Sequence, residues 1–430
     1  MTGAATRAVI TGMGAITPSG LDVESLWAAV SAGRSAIDVL EGAEFDALPV
    51  RIGGQVRGFD PAGVIEPALA RRLSPVHHWA LAAASQALAQ AGARDALPWD
   101  PERVGVIAAT GSGPIDAMQQ ATRTLDARGP RAVPLTLSVY GAPDAAAALI
   151  SQRYGITGPA QGLSATCASG AIALGEALRR VRHGYADAVL VVGMEDCLNA
   201  VNLASNANLR ALAKGYEGAP TTASRPFDRG RSGFVMSQGA GAILVESDAA
   251  ARARGAGFAA EIAGFGASSD AHHPTAPDPE GRGGARAVRA ALADAGIGPA
   301  DIDHINAHGT GTEAGDAAEL RALQGALGDR ARGIPLTATK SSTGHLLGAS
   351  GVIEAIIAVQ TLGRGILPPT INLDDPAFPE WNTVTTPMRQ SVHTVLSTSF
   401  GFGGHNGALV IREAIREAIR EPIREAEERS

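Results

Sequence analysis

Two stretches of this chain recur in the same order. "CASGAIALGEAL" (Cys167 to Leu178) is echoed by "GASGVIEAIIAV" (Gly348 to Val359), and "GAGAILVES" (Gly239 to Ser247) by "HNGALVIRE" (His405 to Glu413). No other feature constrains the fold as much: ordered self-similarity predicts a duplicated unit, one half ending near Gly257 and the other near Arg412. With 430 residues, each half is long enough to bury a core. The runs "RAVITGMG", "VGVIAATG", "DAVLVVGM", "GAILVES", "DHINAHG" and "ALVIRE" lack apolar–polar alternation, as strands covered on both faces do. Ala/Leu-rich segments such as "HHWALAAASQALAQAG" and "GARAVRAALADAG" lie between them, each closed by glycine as helices often are. The pattern predicts an α/β protein with mainly parallel pairing. It has a first half over 1–257, a second over 258–412, and a charged low-complexity tail over 413–430. In that tail Ile415, Ile419 and Ile423 recur every fourth residue and Pro422 interrupts any helix.

Charge and cysteine content narrow the function. A net charge of −7 gives no support to nucleic-acid binding. No apolar run reaches the length of a membrane span, and the N-terminus lacks the layout of a signal peptide. Two cysteines form neither a disulfide framework nor a zinc site, so a reducing, cytoplasmic setting is expected. Of 36 basic residues only Lys214 and Lys340 are lysines, which marks Lys340 as a place where a compact ammonium is required.

Cys167 follows a short β-prone run and precedes an Ala/Leu-rich helix. Unpaired N–H groups at a helix N-terminus favour an anion, so its thiol pKa is expected to fall. Its small neighbours Ala165, Ala168, Ser169 and Gly170 leave room for a reactant, whereas Cys197 in "GMEDCLN" reads as a buried structural cysteine. Partners are at hand. "NAHGTGTEAGDAAE" holds His308 in a Gly/Thr-rich turn, with Asp316 and Glu319 opening the next helix, where carboxylates complement the dipole. "TATKSSTGHLLGASG" places Lys340 and His345 just before the second copy of the helix that Cys167 begins. If a pseudo-twofold axis relates the halves, these loops converge on Cys167. "STSFGFGGHNGALV" is a Gly-rich turn suited to a tight backbone approach. His304 and His308 are four residues apart, but on a strand and without a third ligand, which does not make a zinc site.

With these motifs in view, the chain resembles the beta-ketoacyl–acyl carrier protein synthases of type II fatty acid and polyketide synthesis, thiolase-fold condensing enzymes. The likeness spans Arg7 to Ile411 through "VITGMGAITPSG", "SATCASG", "SRPFD", "NAHGTGT", "TKSSTGHLLGASG", "LPPTINLD" and "SFGFGGHN". It implies two pseudo-twofold related α/β halves in an αβαβα layering. It also implies a decarboxylative condensation without a cofactor: Cys167 accepts the acyl group, while His308 and His345 bind the malonyl thioester and support loss of carbon dioxide. Lys340, with Glu354, would hold the local charge network. The backbone N–H groups of Cys167 and Phe402 would form the oxyanion hole, and Phe402 would also act as a gate. By the same resemblance Pro114, Tyr140, Phe400, Thr310 and Thr312 belong around the substrate, and Asn306, Glu354, Ser397 and Asn406 around a structural water or monovalent cation. Arg71, Arg72, Arg210 and Lys214 would dock an acidic acyl carrier protein. Assembly would be a homodimer, or a heterodimer with a homologous subunit. The rival reading is a non-catalytic partner subunit in such a heterodimer, and the presence of Cys167 argues against it. The chain departs from the family at "RSGFVMSQGAG", where Ser232, Ser237 and Gln238 replace an acid, a glycine and an acid.

Overall fold

The computed structural model describes residues 6–414. Ten main strands form one mixed sheet system. In chain order they are β1 (Ala8–Ile16), β2 (Val104–Ala109), β3 (Ala160–Leu163), β4 (Ala188–Glu195), β5 (Gly239–Ser247), β6 (Ala260–Ser269), β7 (His304–Asn306), β8 (Leu336–Thr337), β9 (Thr394–Gly401) and β10 (His405–Glu413). The helices that carry the argument are α1 (Pro75–Gln90), α2 (Ile115–Arg128), α3 (Ala145–Tyr154), α4 (Ser169–Arg182), α5 (Ala200–Asn208), α6 (Arg282–Ala295), α7 (Glu313–Leu327) and α8 (Ser350–Arg364).

The spatial order is β8-β7-β9-β10-β6-β1-β5-β4-β2-β3. Read outward from the centre, each half has the same order: the first strand, the last, the penultimate, then two parallel strands. The halves join where β1 pairs antiparallel with β6, Ala8 opposite Ile262. The repeated segments fall on equivalent elements, α4 with α8 and β5 with β10, as a duplication requires. Pairing is mixed rather than mainly parallel. β1–β5, β5–β4, β6–β10 and β9–β10 are antiparallel, while β4–β2–β3 and β9–β7–β8 are parallel. The sequence reading missed two of the strands responsible, β6 ("AEIAGFGASS") and β9 ("TVLSTSFG"). Their Gly, Ser and Thr content hides a strand whose exposure is set by the layers around it.

Three apolar clusters give five layers. One packs α4 and α8 between the two halves of the sheet, one packs α1 and α3 on the outer face of the first half, and one packs α6 and α7 on that of the second. The central helices touch through glycine. A Cβ on Gly170 would stand 2.8 Å from the Val352 backbone nitrogen, and one on Gly351 would strike Ala171. This contact sets the N-termini of α4 and α8 side by side, and the site is built there. The charged tail from residue 415 onward lies outside the described residues, and Glu413 itself belongs to β10.

Candidate active site

Cys167 sits just ahead of α4 on a turn in which Thr166 holds φ +50°, a conformation a β-branched residue rarely adopts. The turn is tied down at both ends. The Thr166 hydroxyl donates to the Phe402 carbonyl (2.8 Å), and Ala165 N–H donates to Ser169 Oγ (2.8 Å). Gly401 must lack a side chain here, because a Cβ would come 3.0 Å from Cys167 N and 3.0 Å from Ala165 O. Gly403 and Gly404, at φ +82° and +74°, complete the turn between β9 and β10.

The direction of the thiol shift differs from the sequence expectation. Burial pushes Cys167 up to about 12, against the pull of Lys340 and of the Phe402 and Cys167 N–H groups. A helix N-terminus is legible in sequence and desolvation is not; here desolvation wins. Cys197 is fully buried, donates to Ser237 O (2.9 Å), and is likewise raised well above the ordinary thiol range by burial and by Glu195 and Asp196. Selectivity between the thiols therefore rests on access. Cys167 lines a cavity of about 440 Å³, so iodoacetamide is expected to modify it alone. The rate should climb about tenfold per pH unit from pH 8 to 11 as the thiolate fraction grows. Peptide mapping across that range tests this; labelling of Cys197, or a rate that levels off below pH 9, contradicts it.

The same cavity is lined by His308, His345, Thr310, Thr312, Phe400 and Phe402, which the fold brings together with Cys167. The two imidazoles stand edge to face with centroids 5.2 Å apart. Lys340 Nζ lies 3.2 Å from His308 Nδ1. An ammonium only donates, so Nδ1 accepts and the ring proton resides on Nε2. His345 Nδ1 is 3.0 Å from Ser350 Oγ at the start of α8, and its buried Nε2 has no partner among the described residues. Burial and Lys340 hold both imidazoles well below their ordinary pKa, and each is neutral at physiological pH. Lys340 is itself buried and donates to Glu354 Oε1, while burial pushes that carboxyl up to about 7 against the pull of Lys340.

Asp316 and Glu319 turn back from α7 rather than simply capping it. Glu319 accepts His308 N–H (2.7 Å), Gly309 N–H (2.8 Å) and the Thr398 hydroxyl (2.7 Å); Asp316 accepts Phe227 N–H (2.7 Å) and Gly311 N–H (3.0 Å). The carboxylates thus hold the His308 loop in shape. Ser397 lies opposite Asn306 in the β9–β7 register, and Asn306 donates to the Glu354 carbonyl (3.3 Å). Asn306 Oδ1 and Glu354 Oε2 are buried without a partner among the described residues, oxygen ligands suited to a water or monovalent cation. The Asn406 side chain does not join them. It faces the outer layer with Ala408 and Val410 and donates to Asp270 Oδ1 (2.8 Å) and Gly404 O (3.1 Å), since side chains alternate along β10.

Pro114 and Tyr140 also stand apart from the cavity: Pro114 opens α2, and Tyr140 packs at the edge of the first outer layer. Arg210 lies at the cavity mouth and Lys214 is exposed nearby in sequence; Arg71 and Arg72 are exposed ahead of α1 and do not line the cavity. Two contributors escaped the sequence reading. Phe234 lies edge-on to His345 (5.4 Å) and Phe402 (6.5 Å), and "RSGFV" carried it in plain view. Ser350, in the repeated "GASG", aligns His345. Of the departures, Ser232 lines the cavity and Ser237 Oγ donates to Gly54 O (3.2 Å). Gln238 donates to Asp196 Oδ1 (3.2 Å) and accepts from Val56 N–H (3.3 Å) once its amide is oriented to satisfy both. An acid at 238 would confront Asp196; the amide does not.

A duplicated αβαβα fold, with a cysteine at the N-terminus of one central helix and two neutral imidazoles from the other half facing it, defines a thiolase-like acyl-condensing enzyme. Residues 5–251 match the model of the beta-ketoacyl synthase N-terminal domain and residues 259–374 that of the C-terminal domain. The chain belongs to the beta-ketoacyl synthase family. It is 38% identical over 410 residues to a 3-oxoacyl-[acyl-carrier-protein] synthase 2 of Staphylococcus aureus (strain COL), covering 95% of this chain and 98% of that one. The ishigamide ketosynthase/chain length factor structure superposes with a TM-score of 0.88 at 31% identity, over 96% of this chain and 100% of that one. A type II polyketide synthase acyl-carrier protein in complex with its hexaketide-bound ketosynthase gives 0.86 at 29% identity, over 96% and 100%.

Proposed function

We infer that this protein condenses a Cys167-bound acyl group with malonyl-acyl carrier protein, giving 3-oxoacyl-acyl carrier protein and carbon dioxide in fatty acid or polyketide synthesis. The observation that carries this reading is the meeting of Cys167, His308 and His345 in one cavity. Cys167 attacks the acyl thioester, and the carrier thiol leaves with the proton the cysteine gives up. The Phe402 and Cys167 N–H groups reach the sulfur, so donors stand ready for the oxyanion on the acyl carbon. One such donor is typically worth about 3 kcal/mol.

Malonyl carrier protein enters next. His308 presents Nε2–H; a Ser350 hydroxyl donating to His345 Nδ1 puts that ring's proton on Nε2 as well. Two neutral donors on the malonyl thioester oxygen stabilise the enolate left by carbon dioxide. The enolate carbon bonds to the acyl carbon, and Cys167 is released. Thr310, Thr312, Phe400 and Phe402 line the approach, and Phe402 gates the two steps. Lys340 and Glu354 fix the His308 tautomer. Asn306, Glu354 and Ser397 would hold a water or monovalent cation behind the site, with no reaction step passing through it. The first half ends near 257, and the second runs from 258 through the end of β10 at Glu413.

The carrier protein is the partner. Arg210, at the cavity mouth, and Lys214, Arg71 and Arg72, all exposed, are cations for an acidic carrier. Such rim charges steer association and are screened by salt. Reversing Arg72 and Arg210 to Glu is expected to raise KM for carrier-bound malonyl at least about fivefold in low salt. Turnover of a small thioester mimic should hardly change. Equal losses on both substrates would withdraw the docking assignment.

A dimer is expected. The edge strand β3 is largely exposed, and Met118 and Leu125 on α2, with Leu135 and Val139 beyond it, present apolar side chains at 53%, 45%, 88% and 59% exposure. Such an edge and patch call for a cover, and Pro114 and Tyr140 lie on the elements nearby. Light scattering should report about twice the 43.6 kDa chain mass; a fully active monomer at micromolar concentration contradicts this. No helix among the described residues is long and apolar enough to cross a membrane. Two free buried thiols suit the cytoplasm, which cell fractionation checks; recovery in an oxidising compartment would refute it.

A further inference from the structure

We propose that Glu195 is a positioning residue for the condensation: its carboxylate fixes the loop after β2 against the turn that carries His345, across the seam between the two halves. The inference rests on the function proposed above. Glu195 ends β4 and is fully buried. Its Oε2 accepts Gly111 N–H (2.7 Å) from the first half and Gly348 N–H (2.9 Å) from the second. Its Oε1 accepts Ser112 N–H (3.0 Å) and the Thr110 hydroxyl (3.2 Å).

Both sides of this clasp lead to reacting groups. Gly348 lies between His345 and Ser350, whose hydroxyl is 3.0 Å from His345 Nδ1, and its neighbour Leu347 is held at φ +42°. On the other side, Ser169 Oγ bridges Thr110 O (3.2 Å) and Thr166 O (2.6 Å), so the loop after β2 abuts the turn that presents Cys167. The backbones are in direct contact at this seam: a Cβ on Gly348 would lie 2.6 Å from Thr110 C. The second half has a counterpart. Glu319 accepts two consecutive N–H groups of the loop after β7, the strand equivalent to β2. Glu195 does the same for its own half and in addition reaches across to the other.

The test separates the two halves of the reaction. Malonyl-carrier decarboxylation is measured in a Cys167→Ala background, which reads the His308–His345 side. Acyl transfer is measured on native Cys167. A displacement of about 1 Å in a reacting group costs on the order of 10²-fold. Glu195→Ala is therefore expected to lower kcat for decarboxylation about 10²-fold with KM within about threefold. Glu195→Gln keeps its amide oxygen as the acceptor for Gly111 and Gly348 and can turn its nitrogen to donate to the Thr110 hydroxyl, giving up only the Ser112 N–H, and is expected to lose no more than about fivefold. Glu195→Ala that decarboxylates within threefold of its background overturns the proposal. So does Glu195→Gln that loses 10²-fold, which remains decisive if Glu195→Ala does not fold. Absence of decarboxylation in the Cys167→Ala background itself would instead refute the functional reading.

Discussion

Cys167→Ala is expected to abolish condensation, by at least about 10⁴-fold, and to leave malonyl decarboxylation in place. The two steps draw on different groups. In the proposed reaction Cys167 would carry the acyl chain, whereas His308 and His345, which line the same cavity from the other half of the fold, would bind the malonyl oxygen. His345→Ala should show the converse: little release of carbon dioxide, with Cys167 still acylated by an acyl carrier protein. Single-turnover assays that follow carbon dioxide and the mass of the Cys167 peptide separate these outcomes. Parental condensation by His345→Ala would remove that residue from the mechanism.

Lys340→Ala is expected to cost both stability and activity. It strips a buried carboxylate of its cation, and breaking one side of a buried pair typically costs about 3–5 kcal/mol. Glu354 relieves part of this by taking up a proton. With Lys340 present its carboxyl is already pushed up to about 7 by burial, and without the ammonium it rises further. Such a group binds its proton more tightly when folded, so its contribution is present at low pH and is lost as pH rises through the folded pKa. The difference in melting temperature between parent and Lys340→Ala should accordingly widen above pH 7. A constant difference from pH 5 to 9 contradicts the coupling. Decarboxylation should fall as well, because His308 Nδ1 loses the donor that holds its proton on Nε2. Lys340→Arg is not expected to restore either property, since the position is 1% exposed and leaves no room for a planar guanidinium.

Much of the site could be read before the fold was known, because its residues lie in short runs whose composition has a mechanical cause. Small residues surround Cys167, glycine fills the turn after Phe400, and Lys340 survives as a lysine in an arginine-rich chain. The duplication is legible from two echoed segments, and it gives the reason to look for the loop before α8 near Cys167, where His345 lines the same cavity. What escaped depended on register and burial. The resemblance groups Asn406 with Asn306 and Ser397, but it lies on the opposite face of its strand, and only the pairing of β10 reveals that. The Cys167 shift went the other way because desolvation is a property of the layers around the thiol. β6 and β9 are hidden by glycine and serine, and with them the antiparallel pairs β1–β6, β6–β10 and β9–β10. Glu195 left a trace in "VLVVGMED", an acid closing an apolar run, but nothing local says that its acceptors would meet N–H groups from both halves.

The most direct test of the central claim follows one turnover on one residue. The protein is incubated with an acyl-acyl carrier protein, the peptides are weighed, and malonyl-acyl carrier protein is then added while carbon dioxide is counted. The acyl mass should appear on the Cys167 peptide alone, then discharge as 3-oxoacyl-acyl carrier protein with one carbon dioxide for each acyl group lost. An acyl group on any other residue, or carbon dioxide released from acylated protein without loss of the Cys167 adduct, would contradict the account.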